Sequence, residues 1–514
     1  MPSVVRTETT DISNSRSSTV TLALGEVLHG QIASATDRDM IGVNLVAGQT
    51  YTFSMVGIGV NAIRDSFLRL YTTTGFLIGE NDDGLENRNS VLSFTPTSSG
   101  RYLIQTSGFA GATGDYGLTV ARGTKAQFDL DMIAGVMDTG NSWSTRGTGA
   151  TVPYDFRTST TGGEPGFAAF TAAQQTATRA ILSQISEVAN LRFVEANTGG
   201  NSNNATILFG NYSANDGAGA YAYYPGSTAA GSVDGDVWFT SADPAGTDTT
   251  VGRWFWSTII HEMGHALGLS HPGLYNAGLG VSITYANDAQ FVQDNNVFTG
   301  MSYFGSSEAG GTNIEADTLL LADVLALQTI YGANMTTRTG DTVYGFGSNA
   351  GSLYDFDINI DPKMVLWDAG GIDTLNVSQS AWQQTIDLTE GAFSDILGYK
   401  LNLAIAQGAV IEQAMGGRNT DEIIGNAAAN MLMGGHGNDT LSGGAGQDTL
   451  EGGMGADLMQ GGDGNDRLVG GGGSSTDALP GRFDLVRTVY AEGDRLQASN
   501  VALSASGSFT LEFI

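Results

Sequence analysis

The sequence of 514 residues contains no cysteine. This absence excludes a disulfide framework, a zinc site built from thiolates, and a propeptide cysteine that would block an active-site metal. Any zinc ion bound by this chain must therefore be held by histidine and carboxylate side chains.

Basic residues are scarce as well: 22 Lys and Arg stand against 53 Asp and Glu, and the formal net charge is −31. Nucleic acids and anionic membranes are bound through clusters of Lys and Arg, so we expect no nucleic acid and no membrane surface as a partner. Divalent cations are the partners that this charge favours.

Long apolar runs are also missing. No stretch of about 18 apolar residues occurs and residues 1–17 are polar, so the sequence predicts no membrane insertion and no Sec-type signal peptide. Proline is rare at 9 residues, whereas glycine is frequent at 73 and recurs regularly toward the C-terminus. That regularity indicates ordered repeats rather than disorder.

The length and the changes in pattern along the chain predict a multidomain protein. In chain order, the predicted segments are a flexible leader or propeptide (1–20), an all-β sandwich (21–122), an α+β domain (123–335), a repeat domain (336–473) and a tail (474–514). Within the α+β segment, the spacing of apolar residues predicts helices at 171–190 and 253–269. Short apolar runs predict strands at 205–209 and 236–240.

Weak motifs are spread through the predicted sandwich. They lie at residues 47–51, 65–71, 75, 81–84 and 100–102. With these motifs the segment resembles the pre-peptidase C-terminal domain that is attached to secreted proteases. Two roles stay open for it, a plain spacer or a module that binds substrate or a surface, because a fold alone does not define a function.

The strongest pattern is HExxHxxGxxH, which residues 261–271 fit without a mismatch. Residues four apart share one face of a helix, so His261 and His265 can both reach a single ion. Gly268 permits a sharp turn, which returns His271 as a third ligand. Three histidine ligands leave a fourth position open to water, as in catalytic rather than structural zinc sites.

Glu262 lies beside the first histidine as the predicted general base. Zinc would lower the pKa of a bound water toward about 7. Glu262 would take the proton during attack on a peptide carbonyl and deliver it to the departing amine. The motif therefore predicts hydrolysis of peptide bonds with one catalytic zinc ion and no covalent intermediate.

At these residues the sequence resembles the serralysin branch of the metzincin proteases, over residues 125–470. The resemblance implies a metzincin fold for the α+β domain and an apolar floor under the zinc ligands formed by Met301. It also implies that Tyr303 contacts the metal at rest and stabilises the oxyanion during turnover. Residues 234–240 would form the exposed cleft edge, where an extended peptide pairs. Such pairing favours an endopeptidase acting on flexible protein segments.

A nine-residue period begins at Gly416 and recurs without slippage through residues 416–469. The repeat GGxGxDxUx resembles the parallel β-roll of repeats-in-toxin proteins, in which glycine-rich turns alternate with short strands. The inward positions would be Ile423, Leu432, Leu441, Leu450, Met459 and Leu468. One apolar stripe is a thin core, so several structural Ca²⁺ ions must supply much of the stability.

Main-chain carbonyls and aspartates of the turns are the predicted calcium ligands of the repeats. These residues are Gly417, Asn419, Asp421, Gly434, Gly435, His436, Gly437, Asp439, Gly444, Gly446, Asp448, Gly452, Met454, Asp457, Gly461, Asp463 and Asp466. Upstream segments match further calcium sites of serralysins. The ligands implied there are Arg338, Gly340, Thr342, Asp368, Gly370, Gly371, Asp373, Val410 and Glu412.

The last four residues, Leu511, Glu512, Phe513 and Ile514, resemble a C-terminal type I export signal, with an ordinary chain end as the alternative. We expect export of the unfolded chain and folding outside the cell, where calcium is plentiful. The expected product is a secreted monomer. Its expected partners are protein or peptide substrates, the type I secretion machinery and a proteinaceous inhibitor.

Two functions from different classes stay open at this point. The first is the zinc endopeptidase. The second is a non-enzymatic, calcium-folded secreted binding protein, similar to an adhesin or a cytolysin, with an inactive protease domain. The complete motif together with Met301 and Tyr303 favours the enzyme.

Overall fold

The computed structural model describes residues 4–160, 164–214, 216–229, 231–241, 244–473, 476–478 and 495–497. The chain divides into two compact units, Met1–Asn334 and Met335–Ile514. The predicted export signal at residues 511–514 lies outside the described residues. Among the helices that the structure describes, none combines the length and the apolar character that crossing a membrane requires.

The first unit begins with two antiparallel sheets. Their strands are β1 (Val4–Thr7), β2 (Glu26–Ile32), β3 (Asp39–Leu45), β4 (Tyr51–Gly57), β5 (Ser66–Thr72), β6 (Leu77–Asn81), β7 (Ser90–Phe94), β8 (Gly100–Gly108) and β9 (Gly114–Arg122). One sheet has the order β1-β2-β9-β4-β7 and the other the order β3-β8-β5-β6. Only the pairing of β1 with β2 is parallel among these described strands. Side chains of both sheets share one apolar core, which includes Ile41 and Phe53.

Residues 4–20 differ from the flexible leader that their composition predicts. β1 pairs with β2, and Ile12 is buried in the core of the sandwich. A guanidinium nitrogen of Arg101 donates to the carbonyl oxygen of Ser18 at 2.5 Å. The expectation of flexibility is wrong because pairing with a distant strand and burial of one isolated isoleucine leave no local periodicity in the sequence. The propeptide alternative stays a prediction.

An α+β domain completes the first unit. Its helices are α1 (Leu130–Met137), α2 (Ala172–Val188), α3 (Trp254–Ala266), α4 (Tyr285–Asp288) and α5 (Leu321–Tyr331). Its strands are β10 (Ala150–Phe156), β11 (Leu191–Glu195), β12 (Ile207–Tyr212), β13 (Ala220–Ala222) and β14 (Val237–Thr240). They form a sheet in the order β11-β10-β12-β14-β13. All pairs in it are parallel except that of β13 with β14.

Capping defines the ends of α2. The Thr171 side chain accepts from the backbone N–H of Gln174, and the Gln174 side chain accepts from the backbone N–H of Thr171. This reciprocal pair satisfies two N–H groups that the first turn leaves without helical partners. The helix ends at Val188 because Ala189 is extended, two residues before the predicted end.

The second unit consists of short strands. They are β15 (Val343–Gly345), β16 (Met364–Leu366), β17 (Thr374–Asn376), β18 (Thr385–Asp387), β19 (Phe393–Ser394), β20 (Leu403–Ile405), β21 (Gln413–Met415), β22 (Glu422–Ile424), β23 (Met431–His436), β24 (Thr440–Gly446), β25 (Thr449–Gly455), β26 (Leu458–Gly464), β27 (Arg467–Gly473), β28 (Thr476–Ala478) and β29 (Arg495–Gln497). Two parallel sheets have the orders β15-β17-β21-β23-β25-β27 and β18-β22-β24-β26-β28-β29, and β16, β20 and β19 form a third sheet.

Successive repeats supply strands alternately to the two parallel sheets. Leu432 lies opposite Leu450 in one sheet, and Leu441 lies opposite Met459 in the other. Partners are therefore 18 residues apart, which is two nine-residue repeats. The six aliphatic side chains expected to point inward are all buried, so the period of the sequence places one apolar stripe between the sheets.

Candidate metal centre

Packing of α3 positions the first two histidines of the motif. Phe255 and Ile259 on its buried face are inaccessible to solvent, and Phe255 packs on Phe239 of β14 with ring centroids 4.8 Å apart. His261 and His265, one helical turn apart, have ring centroids separated by 4.8 Å. The helix thus presents both imidazoles on one side.

A glycine turn brings the third histidine back. α3 ends at Ala266, three residues before the predicted end, and Gly268 follows with φ +104°, a backbone conformation that favours glycine. A Cβ at Gly268 would lie 2.2 Å from the carbonyl oxygen of Asn141. The Gly268 carbonyl accepts from the backbone N–H of Thr139 at 3.1 Å and from its hydroxyl at 2.7 Å. The turn is therefore anchored before it reaches His271.

The three imidazoles converge through their Nε2 atoms. Nε2 of His271 lies 3.2 Å from Nε2 of His261 and 3.1 Å from Nε2 of His265. A tetrahedral zinc ion with bonds of about 2.0–2.1 Å to nitrogen places neighbouring ligand nitrogens about 3.3 Å apart. The spacing of the donor atoms fits a zinc ion.

Backbone carbonyls orient each ring for this role. Nδ1 of His261 donates to the Gly300 carbonyl at 2.8 Å, Nδ1 of His265 to the Leu269 carbonyl at 2.7 Å, and Nδ1 of His271 to the Tyr275 carbonyl at 3.0 Å. Because a carbonyl only accepts, each Nδ1 carries the hydrogen and each Nε2 keeps its lone pair free for a metal.

Burial keeps these rings uncharged. It lowers the pKa of His261 below its ordinary value, and it lowers the pKa of His265 well below that value, with a further contribution from the neighbouring histidines. The pKa of His271 falls to about 3, first through burial and then through His261. Neutral imidazole is the form that ligates a metal, so the site is available at neutral pH.

Glu262 is buried next to the histidines and has no cationic neighbour among the described residues. Its Oε2 has no hydrogen-bond partner there, and burial raises the pKa of Glu262 to about 8. An unpartnered buried carboxylate oxygen is costly unless a cation, a water or a substrate meets it. The position and the raised pKa suit a group that gains and loses a proton near neutral pH.

Met301 packs against α3, and its role as an apolar floor under the zinc ligands stays a prediction. It is 1% exposed, and a Cβ at Gly264 would lie 2.3 Å from its sulfur, so this close approach requires the glycine. The buried Asp323 accepts from the backbone N–H of Gly300 at 2.8 Å and from the Thr299 hydroxyl at 2.5 Å. Asp323, which the sequence reasoning missed, thereby fixes the turn whose carbonyl orients His261.

A second buried group supports the third histidine. The Tyr275 ring stacks on His271 with centroids 5.7 Å apart. Its hydroxyl donates to Asp294 at 2.8 Å, and the Ser302 hydroxyl donates to the same carboxylate oxygen at 2.7 Å. Sequence reasoning missed Tyr275 and Asp294, although the position of Tyr275, four residues after a ligand, was a usable signal.

Tyr303 lies at the open side of the metal centre. Its ring centroid is 4.5 Å from that of His271 and 5.9 Å from that of His261. The residue is 39% exposed, so part of its surface is accessible to solvent. The ring position is compatible with the predicted role, which remains a prediction.

The cleft edge differs from the prediction. β14 lies between β12 and β13, and all four of its residues are buried. The exposed edge is the half-buried β13, which is followed by Tyr223 and Tyr224, and the Tyr224 ring meets His265 edge-on at 5.8 Å. The assignment of residues 234–240 to the edge is wrong because the sequence does not show which strand lies outermost.

Three of the predicted upstream calcium ligands, Thr342, Asp368 and Glu412, lie around a fourth, Asp373. Its Oδ1 accepts from the backbone N–H of Thr342 at 2.7 Å, and its backbone N–H donates to Glu412 at 2.8 Å. Burial first, and then the charges of Asp368 and Glu412, raise the pKa of Asp373 to about 7. Its Oδ2 is buried without a partner among the described residues. Such crowded hard oxygens fit a calcium ion.

Aspartates of the repeats form two regular rows. From Asp439 onward, each uses Oδ1 to accept a backbone N–H from the residue 18 positions earlier: Asp439 from Asp421 at 2.8 Å, and Asp466 from Asp448 at 3.0 Å. The Oδ2 atoms of Asp439, Asp448 and Asp466 are buried without partners among the described residues. Burial raises the pKa of Asp421, Asp439 and Asp448 to about 6. These unpartnered oxygens are available to cations.

Other predicted calcium ligands have exposed side chains. The side chains of Asn419, His436, Met454 and Asp463 are exposed, and Val410 is exposed as well. For these residues the prediction concerns the main-chain carbonyl, so side-chain exposure does not conflict with it. The ligand assignments in the repeats remain predictions.

Two family models match the chain. One described as "Peptidase M10 serralysin C terminal" matches residues 333–502, and one described as "Matrixin" matches residues 156–302.

Curated relatives match between half and three fifths of the chain. Metallopeptidase AprA of Pseudomonas marginalis is 42% identical over 280 residues, which cover 52% of this chain and 57% of that protein. Serralysin G of Dickeya chrysanthemi is 37% identical over 327 residues, which cover 60% of this chain and 67% of that protein. Serralysin B of the same organism is 40% identical over 292 residues, which cover 54% and 59%. The chain thus spans somewhat more than half the length of most of these relatives.

Among solved structures, the pre-peptidase C-terminal domain of a collagenase from Bacillus anthracis matches with 14% identity and a TM-score of 0.17. The match covers 20% of this chain and 92% of that domain. A likeness this weak carries no argument about fold or function.

Proposed function

The chain belongs to the serralysin family of metalloproteases, and from this premise we propose that it is a secreted, calcium-dependent zinc endopeptidase. One observation carries the proposal: three neutral imidazoles direct Nε2 atoms 3.1–3.2 Å apart at one point, beside the buried Glu262. The substrates are peptide bonds in proteins.

His261, His265 and His271 hold the metal in this proposal. When bound, zinc supplies Lewis-acid polarisation of the scissile carbonyl and makes a nearby water more acidic. Glu262 accepts the proton of the attacking water and then donates it to the nitrogen of the departing amine. Burial raises the pKa of Glu262 to about 8 in the zinc-free chain, and the charge of a bound zinc ion would lower it, which favours the ionised form that accepts the first proton.

Tyr303 and the strand edge bind the substrate. The phenol of Tyr303 donates a hydrogen bond to the carbonyl oxygen as negative charge develops on it. An extended peptide pairs through its main chain with the free edge of β13, which leads into Tyr224 beside His265. Main-chain pairing requires an extended segment, so the preferred substrates are flexible or unfolded parts of proteins.

Calcium ions stabilise the second unit in this proposal. The buried, unpartnered oxygens of its aspartates would repel one another without cations. Calcium-driven folding agrees with export of an unfolded chain by type I secretion machinery, followed by folding outside the cell. A proteinaceous inhibitor would bind the same cleft as the substrates.

The test replaces Glu262 by the isosteric Gln, which keeps the volume and removes the proton-transfer group. We expect Glu262→Gln to lower kcat/KM on casein by about 10²- to 10⁴-fold while zinc content stays unchanged. The matched control is Glu308→Gln, at an exposed position, which should retain full activity.

Casein clearing and metal analysis together test the enzyme proposal. Equal clearing by wild type and Glu262→Gln, or no clearing by the zinc- and calcium-loaded wild type, would sink the enzyme proposal. The second result would favour the non-enzymatic binding protein.

A further inference from the structure

The N-terminal sandwich contacts helix α1 at three points. At the start of α1, Asp129 caps the helix by accepting from the backbone N–H of Met132 at 3.0 Å. Its other carboxylate oxygen lies 2.7 Å from Nε2 of His29 in β2. The sandwich therefore holds the residue that begins the helix.

In the middle of α1, the two backbones touch. A Cβ at Gly135 would lie 2.0 Å from the carbonyl oxygen of Gly57, at the end of β4. Only a residue without a side chain permits this approach. The glycine in α1 therefore allows the end of β4 to contact the helix backbone directly.

At the end of α1, Asn87 supplies a cap from the sandwich. The last carbonyls of a helix lack partners within it. The side-chain nitrogen of Asn87 donates to the carbonyl oxygen of Val136 at 2.8 Å and to the hydroxyl oxygen of Ser270 at 2.9 Å. Residues 87 and 270 are 183 positions apart, so one amide joins three separate parts of the chain.

Ser270 directly precedes the metal ligand His271. Its backbone N–H donates to the Met137 carbonyl at 2.7 Å, and its hydroxyl, after accepting from Asn87, can donate to the His271 carbonyl at 2.9 Å. Ser270 is buried. The turn that presents His271 is therefore clamped between the end of α1 and the sandwich.

Hydrogen bonds also hold the loop that carries Asn87. Asn87 has φ 55°, a left-handed conformation that asparagine tolerates better than most residues. The buried Asn89 accepts from the backbone N–H of Gly57 at 2.9 Å and donates to the Glu86 carbonyl at 2.7 Å. Gln290 donates to the Gly84 carbonyl at 3.1 Å. The Asn87 amide is thus held in place from both domains.

We propose that the N-terminal sandwich is a built-in support of the metal centre, and that Asn87 is a positioning residue which fixes the turn carrying His271. The sandwich is then neither a spacer nor an independent binding module. The inference rests on the proposed zinc site, and its readout is the retention of zinc as well as catalysis.

The key variant is Asn87→Gly, which removes both hydrogen bonds and leaves the left-handed backbone unstrained. Loss of a group that orients a metal ligand typically lowers metal affinity or activity by about 10- to 100-fold. We expect the apparent zinc dissociation constant, measured in the full chain against a competing chelator, to rise by about that factor. kcat should fall in parallel, whereas KM for a short peptide should stay unchanged.

The matched control is Arg88→Gly. Arg88 is the exposed neighbour in the same loop, has φ 59°, and its side chain forms a 3.7 Å ion pair with Asp65. It should hold zinc as tightly as wild type. A second variant, Asn87→Asp, keeps the size and the backbone preference but cannot donate to the Val136 carbonyl, so it should lose zinc as Asn87→Gly does.

Each outcome is decisive. If Asn87→Gly and Asn87→Asp retain zinc and kcat like Arg88→Gly, the positioning role is wrong while the proposed peptidase stands. If wild type holds zinc without cleaving peptides and the Asn87 variants lose zinc, the positioning role stands and the peptidase proposal fails. If wild type holds no zinc, both are wrong.

Discussion

The turn after α3 offers a stringent test, because Gly268→Ala perturbs it in two separable ways. A non-glycine residue at φ +104° costs roughly 1–3 kcal/mol in backbone strain. The added Cβ would also lie 2.2 Å from the Asn141 carbonyl oxygen, and overpacking of this kind costs a further 1–3 kcal/mol or so. We therefore expect a loss of about 2–6 kcal/mol in the unfolding free energy of the first unit.

Gly123→Ala separates the two contributions. Gly123 has φ +96°, and nothing lies within 4 Å of the Cβ position, so this variant incurs only the backbone strain. Urea unfolding of the zinc-free proteins, followed by tryptophan fluorescence in the presence of calcium, gives the difference in unfolding free energy between the two variants. Gly268→Ala should also weaken zinc binding, because relief of the clash displaces the turn that carries His271. If Gly268→Ala is no less stable than Gly123→Ala and binds zinc as tightly, the steric argument is refuted.

Three further outcomes are expected. Arg157→Met leaves the buried Asp236 carboxylate without its cation, so it should lower the unfolding free energy of the first unit by about 3–5 kcal/mol in urea unfolding. A loss under about 1 kcal/mol would contradict this reasoning. Leu441→Ala removes part of the single apolar stripe and should lower the unfolding free energy of the second unit by about 2–5 kcal/mol. The calcium concentration needed to fold that unit should then rise in circular dichroism titrations. An unchanged titration would count against the importance of this stripe. In the zinc-free chain, burial raises the pKa of Glu262 to about 8 above an ordinary value near 4.3. Between about pH 4 and pH 8 the carboxyl therefore ionises in the unfolded chain but keeps its proton in the folded chain, and the folded state loses stability as pH rises. The stability of Glu262→Gln relative to wild type should therefore increase over that window and level off above it, whereas Glu308→Gln should show no such trend.

The membership in the serralysin family was predictable from the sequence, and the curated relatives confirm it. HExxHxxGxxH carries its own geometry, since helical spacing aligns His261 with His265 and a glycine reverses the chain. The nine-residue period likewise specifies which side chain of each repeat is buried, because the strand direction and the turn recur at a constant length. Both patterns depend on interactions between residues close together in the chain.

The groups that orient the ligands were not predictable in this way. Asp323 reaches the turn at Gly300 from another helix, and Asn87 reaches Ser270 from another domain. An isolated Asp or Asn in a sequence has no pattern that distinguishes a buried support from a solvated surface residue. The edge strand was misassigned for the same reason, since strand order is a property of the assembled sheet.

The sequence by itself predicted the chemistry: which side chains bind the metal, which carboxylate moves a proton, and which repeats bind calcium. These follow from residue type and short-range spacing, which covalent geometry translates directly into structure. Only the tertiary structure decided that β13 forms an outer edge of the sheet, that residues 4–20 join the sandwich, and that the sandwich contacts α1 and the turn of His271. Those features arise from contacts between residues distant in the chain, whose energies depend on packing and burial in the folded molecule.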